Sequence, residues 1–213
     1  MVKHIQALIL NESAQCAHSS QAKLPEFIFA PVMGRTPIDE IETDLVLIPV
    51  LAGMRVPRDL HSDSTEVGEL IKNAIKDGGF AGKRGEQLLV ETELSGTGDG
   101  NRHVLVAGLG RPDRFCARTA YEVFEQLIQE AIRLNVRRVT IPFTANRGTS
   151  SCLNMKGSGH KLKAAVVSCF EKLEQPVALA EIQIYCTPQA KAHIKKGLDI
   201  PVSSDDSCCQ QSD

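Results

Sequence analysis

Leu45-Val-Leu-Ile-Pro-Val-Leu51 is an unbroken apolar run of strand length, opened by Thr43-Asp44 and closed by Ala52-Gly53. A strand with one face in water alternates polar and apolar residues. A strand with no polar residue is buried on both faces, which is the situation of a central parallel strand under covering helices. The run extends at most to Met54 and contains Pro49, well short of the roughly 20 residues of a membrane span. One element therefore asks for an α/β sheet with helices above and below.

The flanking sequence supplies the rest of such a sheet. Residues 63–77 read as a helix, started by Asp63 with Glu66 three residues on and stopped by Gly78-Gly79. Residues 87–94 and 103–107 read as strands. Ala120, Val123, Phe124, Leu127, Ile128 and Ala131 recur at three and four, so 118–135 reads as a helix. A strand over 138–143, a long Gly/Ser/Thr/Asn loop over 144–159, a helix over 161–173 and a strand over 182–186 follow. Thr187-Pro188 opens a last helix, with proline at its first position. Earlier, residues 5–10 and 27–32 read as strands and are expected to add antiparallel edges, making the sheet mixed. The expectation is a three-layer α/β sandwich with a mostly parallel sheet and helices on both faces. A single domain over 1–198 is expected, with a polar tail over 199–213 expected to be disordered.

Composition narrows the function classes. The net charge is −2, from 24 Lys and Arg against 26 Asp and Glu, which leaves little long-range attraction for nucleic acid. With no Trp and 4% aromatic residues there is no stacking platform for single strands. Seven Cys in unpaired spacings read as reduced thiols of a cytoplasmic protein, and the N-terminus does not read as a signal peptide. No C-x-x-C or H-E-x-x-H is present, and His4, His18, His61, His103, His160 and His193 show no ligand spacing, so no metal or cofactor is expected.

Asp77-Gly-Gly-Phe-Ala-Gly-Lys-Arg-Gly-Glu86, then a strand, then His103-Val-Leu-Val-Ala-Gly-Leu-Gly110 resembles the N-terminal domain of the leucine (cytosol) aminopeptidase family. There a G-x-F-x-G-K-x-G-E turn leads into a strand and a second strand ends in G-L-G. From Arg137 onward, a strand, a Pro142-Phe-Thr-Ala-Asn-Arg-Gly148 loop, a helix, a strand and Thr187-Pro188 resemble the end of a macro domain, to which that N-terminal domain is itself similar. The resemblance implies a macro-like fold and a part in assembly and regulation. It does not extend to peptide cleavage: the family's two-metal site lies in a C-terminal half marked by N-T-D-A-E-G-R, a run this sequence lacks.

The macro resemblance also implies where a ligand would sit. An aspartate ahead of the first central strand would be Asp39 or Asp44. The strand end, however, lacks the asparagines of ADP-ribose binders, and Arg55, Arg58, His61 and Asp63 stand where a glycine triplet would be. Independently of the resemblance, the 144–160 loop is the candidate binding element, because it follows the carboxyl end of a parallel strand. Thr144, Asn146, Arg147, Thr149, Ser150 and Ser151 supply donors, Gly148 lies among them, and Gly157-Ser158-Gly159 ahead of a helix supply amides for an anion. The competing reading is an ordinary surface loop. Gly108-Leu-Gly110 reads as a plain turn rather than half of a dinucleotide fingerprint, since Asp113 stands at the third glycine position. Lys83-Arg84 reads as a solvated charge pair. No catalytic residue is identified. Ser150 or Cys152 would need a base that the sequence does not place. The sequence reads more as a non-catalytic interaction or regulatory module than as an enzyme, with a protein partner or a second copy. The alternative is a module binding ADP-ribose or another nucleotide or phosphate ligand through the 144–160 loop.

Overall fold

A computed structural model describes residues 22–31, 33, 35–53, 66–77, 79–92, 102–143 and 153–203. The apolar run forms β2, Leu45–Leu51, at the middle of a six-stranded sheet. Its neighbours are β4, Arg102–Gly110, and β5, Arg138–Phe143, both parallel to it. Beyond β5 lie β6, Glu181–Cys186, and then β1, Glu26–Phe29, while β3, Gln87–Thr92, flanks β4.

Alternation along β2 divides the core. Leu45, Leu47 and Leu51 face one side, packed with α2, Ala117–Arg133, α3, Met155–Glu171, and α4, Pro188–Leu198. Val46, Ile48 and Val50 face the other side with Ile38, Ile41, Phe80 and Val67 of α1, Glu66–Lys76. Both sets are essentially fully buried, and each such side chain contributes roughly 1.5–3 kcal/mol by leaving water. The result is the three-layer sandwich that the apolar strand demands.

Two expectations are corrected. The antiparallel edge is β3, not an N-terminal strand: β1 runs parallel to β6, in register Glu26 with Glu181. Residues 93–101 between β3 and β4 are too few for a parallel crossover, which takes about a dozen or more, whereas β1 pairs with the last strand and no short connection fixes its direction. Residues 5–10 lie outside the described residues, as do Asp63 and the tail beyond residue 203. Secondly, Gly108-Leu-Gly110 is not a free turn but the end of β4, paired with β2 as far as Leu51 opposite Gly110.

Local signals account for the helix ends. The Thr187 hydroxyl accepts from the amide of Ala190 at 3.3 Å ahead of Pro188. Asn135, with φ 54°, ends the chain's turn out of α2. The Arg102 side chain, 1% exposed, crosses the second layer and donates to the carbonyls of Ile38 at 2.9 Å and Asp39 at 3.1 Å. It ties the short helical turn Ile38–Glu40 to the start of β4. Among the described residues, no helix is long and apolar enough to cross a membrane.

Candidate functional site

The two glycine motifs meet at the carboxyl ends of β2 and β4. The Glu86 carboxylate accepts from the amides of Ala81 at 3.0 Å and Lys83 at 2.9 Å, closing residues 81–86 into a compact turn. These amides hold the Glu86 carboxyl below the usual carboxylate range. The turn then docks on β4: the Gly108 amide donates to the Glu86 carbonyl at 2.8 Å, and the Gly110 amide to the Gly82 carbonyl at 3.0 Å. The Gly110 carbonyl in turn accepts from Ala52 at 2.8 Å, just past β2. Only glycine fits at 108, because a Cβ there would lie 1.9 Å from the Lys83 carbonyl oxygen.

This docking leaves a cleft of about 270 Å³ over Ala52, Leu109 and Gly110. Lys83 and Arg84 line it from the turn, Arg111 and Arg114 from the β4–α2 connection, and Thr119 from the first turns of α2. Arg84 pairs with Glu122, and Arg111 with Asp113 at 2.9 Å. The arginine holds the Asp113 carboxyl low. In sequence Lys83-Arg84 reads as a solvated pair; the signal missed is that the second glycine motif carries two further cations just beyond it.

Cys116, the N-cap of α2, borders the same place, its sulfur 3.5 Å from the Thr119 hydroxyl. Burial alone would raise its pKa. The Thr119 hydroxyl, the amides of Thr119 and Arg118 and the charge of Arg84 outweigh that and leave the thiol below its ordinary value. Burial instead pushes Cys169 up to about 12 and Cys186 up to about 11. The thiolate is the attacking form, so a lowered pKa means more reactive sulfur at a given pH. Iodoacetamide at pH 7.5, mapped by peptide mass spectrometry, is expected to label Cys116 at least roughly tenfold faster than Cys169 or Cys186.

The residues singled out in the sequence do not form one cluster. Asp44 stands at the opposite, amino end of β2, where its carboxylate accepts from the amides of Arg137 at 2.9 Å and Arg138 at 2.8 Å and joins the starts of β2 and β5. Asp39 lies by the start of β4; its carboxylate accepts from the Val67 amide at 3.4 Å in the first turn of α1. Thr144, Asn146, Arg147, Gly148, Thr149 and Ser150 lie outside the described residues. Gly157, Ser158 and Gly159 were expected to end a loop before a helix at Lys161. They lie inside α3, which starts at Met155. The Gly157 amide is taken by the Asn154 side chain at 2.8 Å, and the Ser158 amide by the Asn154 carbonyl at 2.9 Å. Gly159 abuts α4, where a Cβ would lie 2.6 Å from the Ile194 carbonyl oxygen. Poor intrinsic helix formers are here held helical by packing on α4.

The sequence profile of the cytosol aminopeptidase family, N-terminal domain, matches residues 57–154, which include both glycine motifs. The resemblance read from those motifs is borne out. Among solved structures, the chain is similar to a tomato leucine aminopeptidase variant (15% identity, TM-score 0.58), covering 83% of this chain and 36% of that one. The chain thus spans about a third of that enzyme's length. It is also similar to an Oceanobacillus iheyensis macrodomain variant (10% identity, TM-score 0.54; 84% of this chain, 93% of that one). A Trypanosoma brucei macrodomain in complex with ADP is a third likeness (10% identity, TM-score 0.55; 81% and 68%). At these identities the likeness is one of fold, and the fold is macro-like. No curated protein sequence matches the chain.

Proposed function

We propose that this chain is a non-catalytic interaction or regulatory module built on the aminopeptidase N-terminal fold, with no peptidase activity of its own. The observation that carries the reading is the profile match over 57–154, which falls on the family's accessory domain rather than on its peptidase half. The described residues also hold no group of three or more His, Cys, Asp or Glu able to take a metal ion, and two-metal hydrolysis needs such a group to activate water. The module's partner is a protein chain or a second copy of itself.

The test is an assay with leucine p-nitroanilide in the presence of added manganese, zinc or cobalt. No turnover above a blank is expected; metal-dependent turnover abolished by a chelator would overturn the reading. Binding of ADP-ribose or another nucleotide or phosphate ligand through residues 144–160 is the second reading, supported by the macro-like fold. The engagement of the Gly157 and Ser158 amides within α3 weighs against the glycine cradle it would use. A thermal-shift panel of ADP-ribose, nucleotides and phosphosugars separates the two. Stabilisation by ADP-ribose that is lost in Arg147→Ala would favour the second.

A further inference from the structure

We propose that the cleft between the 81–86 turn and the start of α2 is a binding site for the phosphate or diphosphate group of a small molecule. The site lies on the β4 side of β2, whereas β5, the strand that precedes residue 144 in sequence, lies on the other side. It is therefore independent of both functional readings above.

Four cations from two separated segments converge on one hollow. Lys83 and Arg84 come from the turn, Arg111 and Arg114 from the connection after β4. Solvated charges with no common task spread apart, because like charges repel; convergence costs energy unless an anion offsets it. Native carboxylates make direct ion pairs with only two of the four, Glu122 with Arg84 and Asp113 with Arg111, while Glu86 and Asp113 feel the charges of Lys83 and Arg114 at longer range. Lys83 and Arg114 thus interact with carboxylates through space and, among the described residues, without a direct side-chain ion pair.

The third nearby carboxylate, Glu86, accepts its hydrogen bonds from the amides of Ala81 and Lys83 and makes no direct ion pair with the Lys83 ammonium. Thr119, a buried residue whose hydroxyl meets the Cys116 sulfur, lines the wall. The first turn of α2 has no acidic residue, and α2 is 17 residues long, so its positive end adds to the field.

Size and place fix the ligand class. The cleft's volume of about 270 Å³ is slightly below that of pockets enclosing drug-sized ligands, about 300–1,000 Å³. It suits a phosphate-bearing end and not a whole dinucleotide. The position, at the carboxyl ends of parallel strands, is where open α/β sheets hold ligands. Arginines give paired donors to phosphate oxygens, and lysine adds a point charge.

The probe is inorganic diphosphate, titrated into the full chain by calorimetry near 0.15 M salt. Saturable binding is expected. In a Lys83→Ala, Arg114→Ala double variant it should weaken by at least roughly tenfold. A Lys195→Ala, Lys196→Ala double variant removes the same charge from α4 and should bind as the parent does. In the parent, amide resonances of Gly110, Arg111 and Thr119 should move on titration, a readout that needs no variant to fold. Absence of saturable binding at millimolar diphosphate would overturn the proposal. So would equal weakening in both double variants, which would mark diffuse charge attraction. Loss of binding in Arg147→Ala with no shift at Gly110 would place the anion elsewhere and equally reject this site.

Discussion

Gly108→Ala is expected to destabilise the protein by about 3 kcal/mol or more, the upper range for forcing atoms into a packed interior. The added methyl would lie 1.9 Å from the Lys83 carbonyl oxygen and 2.7 Å from the Gly82 carbonyl carbon. Both are backbone atoms and cannot rotate aside. The turn would have to leave β4, losing the bonds from Gly108 to Glu86 and from Gly110 to Gly82. Gly85→Ala is the control. Gly85 has φ 80°, but a Cβ there would meet nothing within 4 Å, so only the left-handed backbone opposes it, at roughly 1–2 kcal/mol. Urea unfolding should show a lower midpoint at unchanged slope for both, with the larger shift at 108. Equal shifts would mean that the turn does not dock as described. If the cleft binds diphosphate, Gly108→Ala should abolish that binding as well, because the same contact sets the distance between Lys83 and Arg114.

How much of this was legible depended on how local the cause was. The apolar face-to-face burial of β2 is written in seven consecutive residues and was read to its ends. The spacing in α2 and the Thr187-Pro188 start of α4 are also local, and they appear where expected. The extent of β4 was not local. Gly108 to Gly110 look like a turn until β2 and the 81–86 turn are placed on either side and supply partners. The direction of β1 depends on a partner some 150 residues away, as its register with β6 shows. Asp44 stands out in sequence because of where a related aspartate binds ligand, yet its carboxylate serves the exposed amides at the start of β5. The cleft was hidden for the same reason as the end of β4: Lys83-Arg84 and Arg111-Pro-Asp-Arg114 are each ordinary charged turns, and only the docking of one glycine motif on the other makes them a site.

The start of α3 gives the sharpest test, because sequence and packing predict effects of opposite sign. Gly197 lies inside α4, and alanine there should raise intrinsic helix stability by about 1 kcal/mol. Were residues 157–159 a loop, as their composition suggests, Gly197→Ala would stabilise or do little. In the structure a Cβ at 197 would lie 2.0 Å from the Lys156 carbonyl oxygen and 2.9 Å from the His160 amide nitrogen. Gly159 makes the reciprocal approach to Ile194. The two helices touch backbone to backbone, and neither can tilt without opening the buried layer around Leu162 and Ile194. Gly197→Ala is therefore expected to cost about 2–3 kcal/mol, the overpacking penalty exceeding the propensity gain. Gly157→Ala should behave differently, because its Cβ would meet the end of the Leu153 side chain at 2.9 Å, which can turn away. At that position the propensity term should prevail, and the change should be neutral or slightly stabilising. Thermal unfolding of the two variants decides the matter: a destabilised Gly197→Ala beside an unharmed Gly157→Ala places the first turns of α3 against α4, whereas a stabilised Gly197→Ala would return residues 157–159 to the loop.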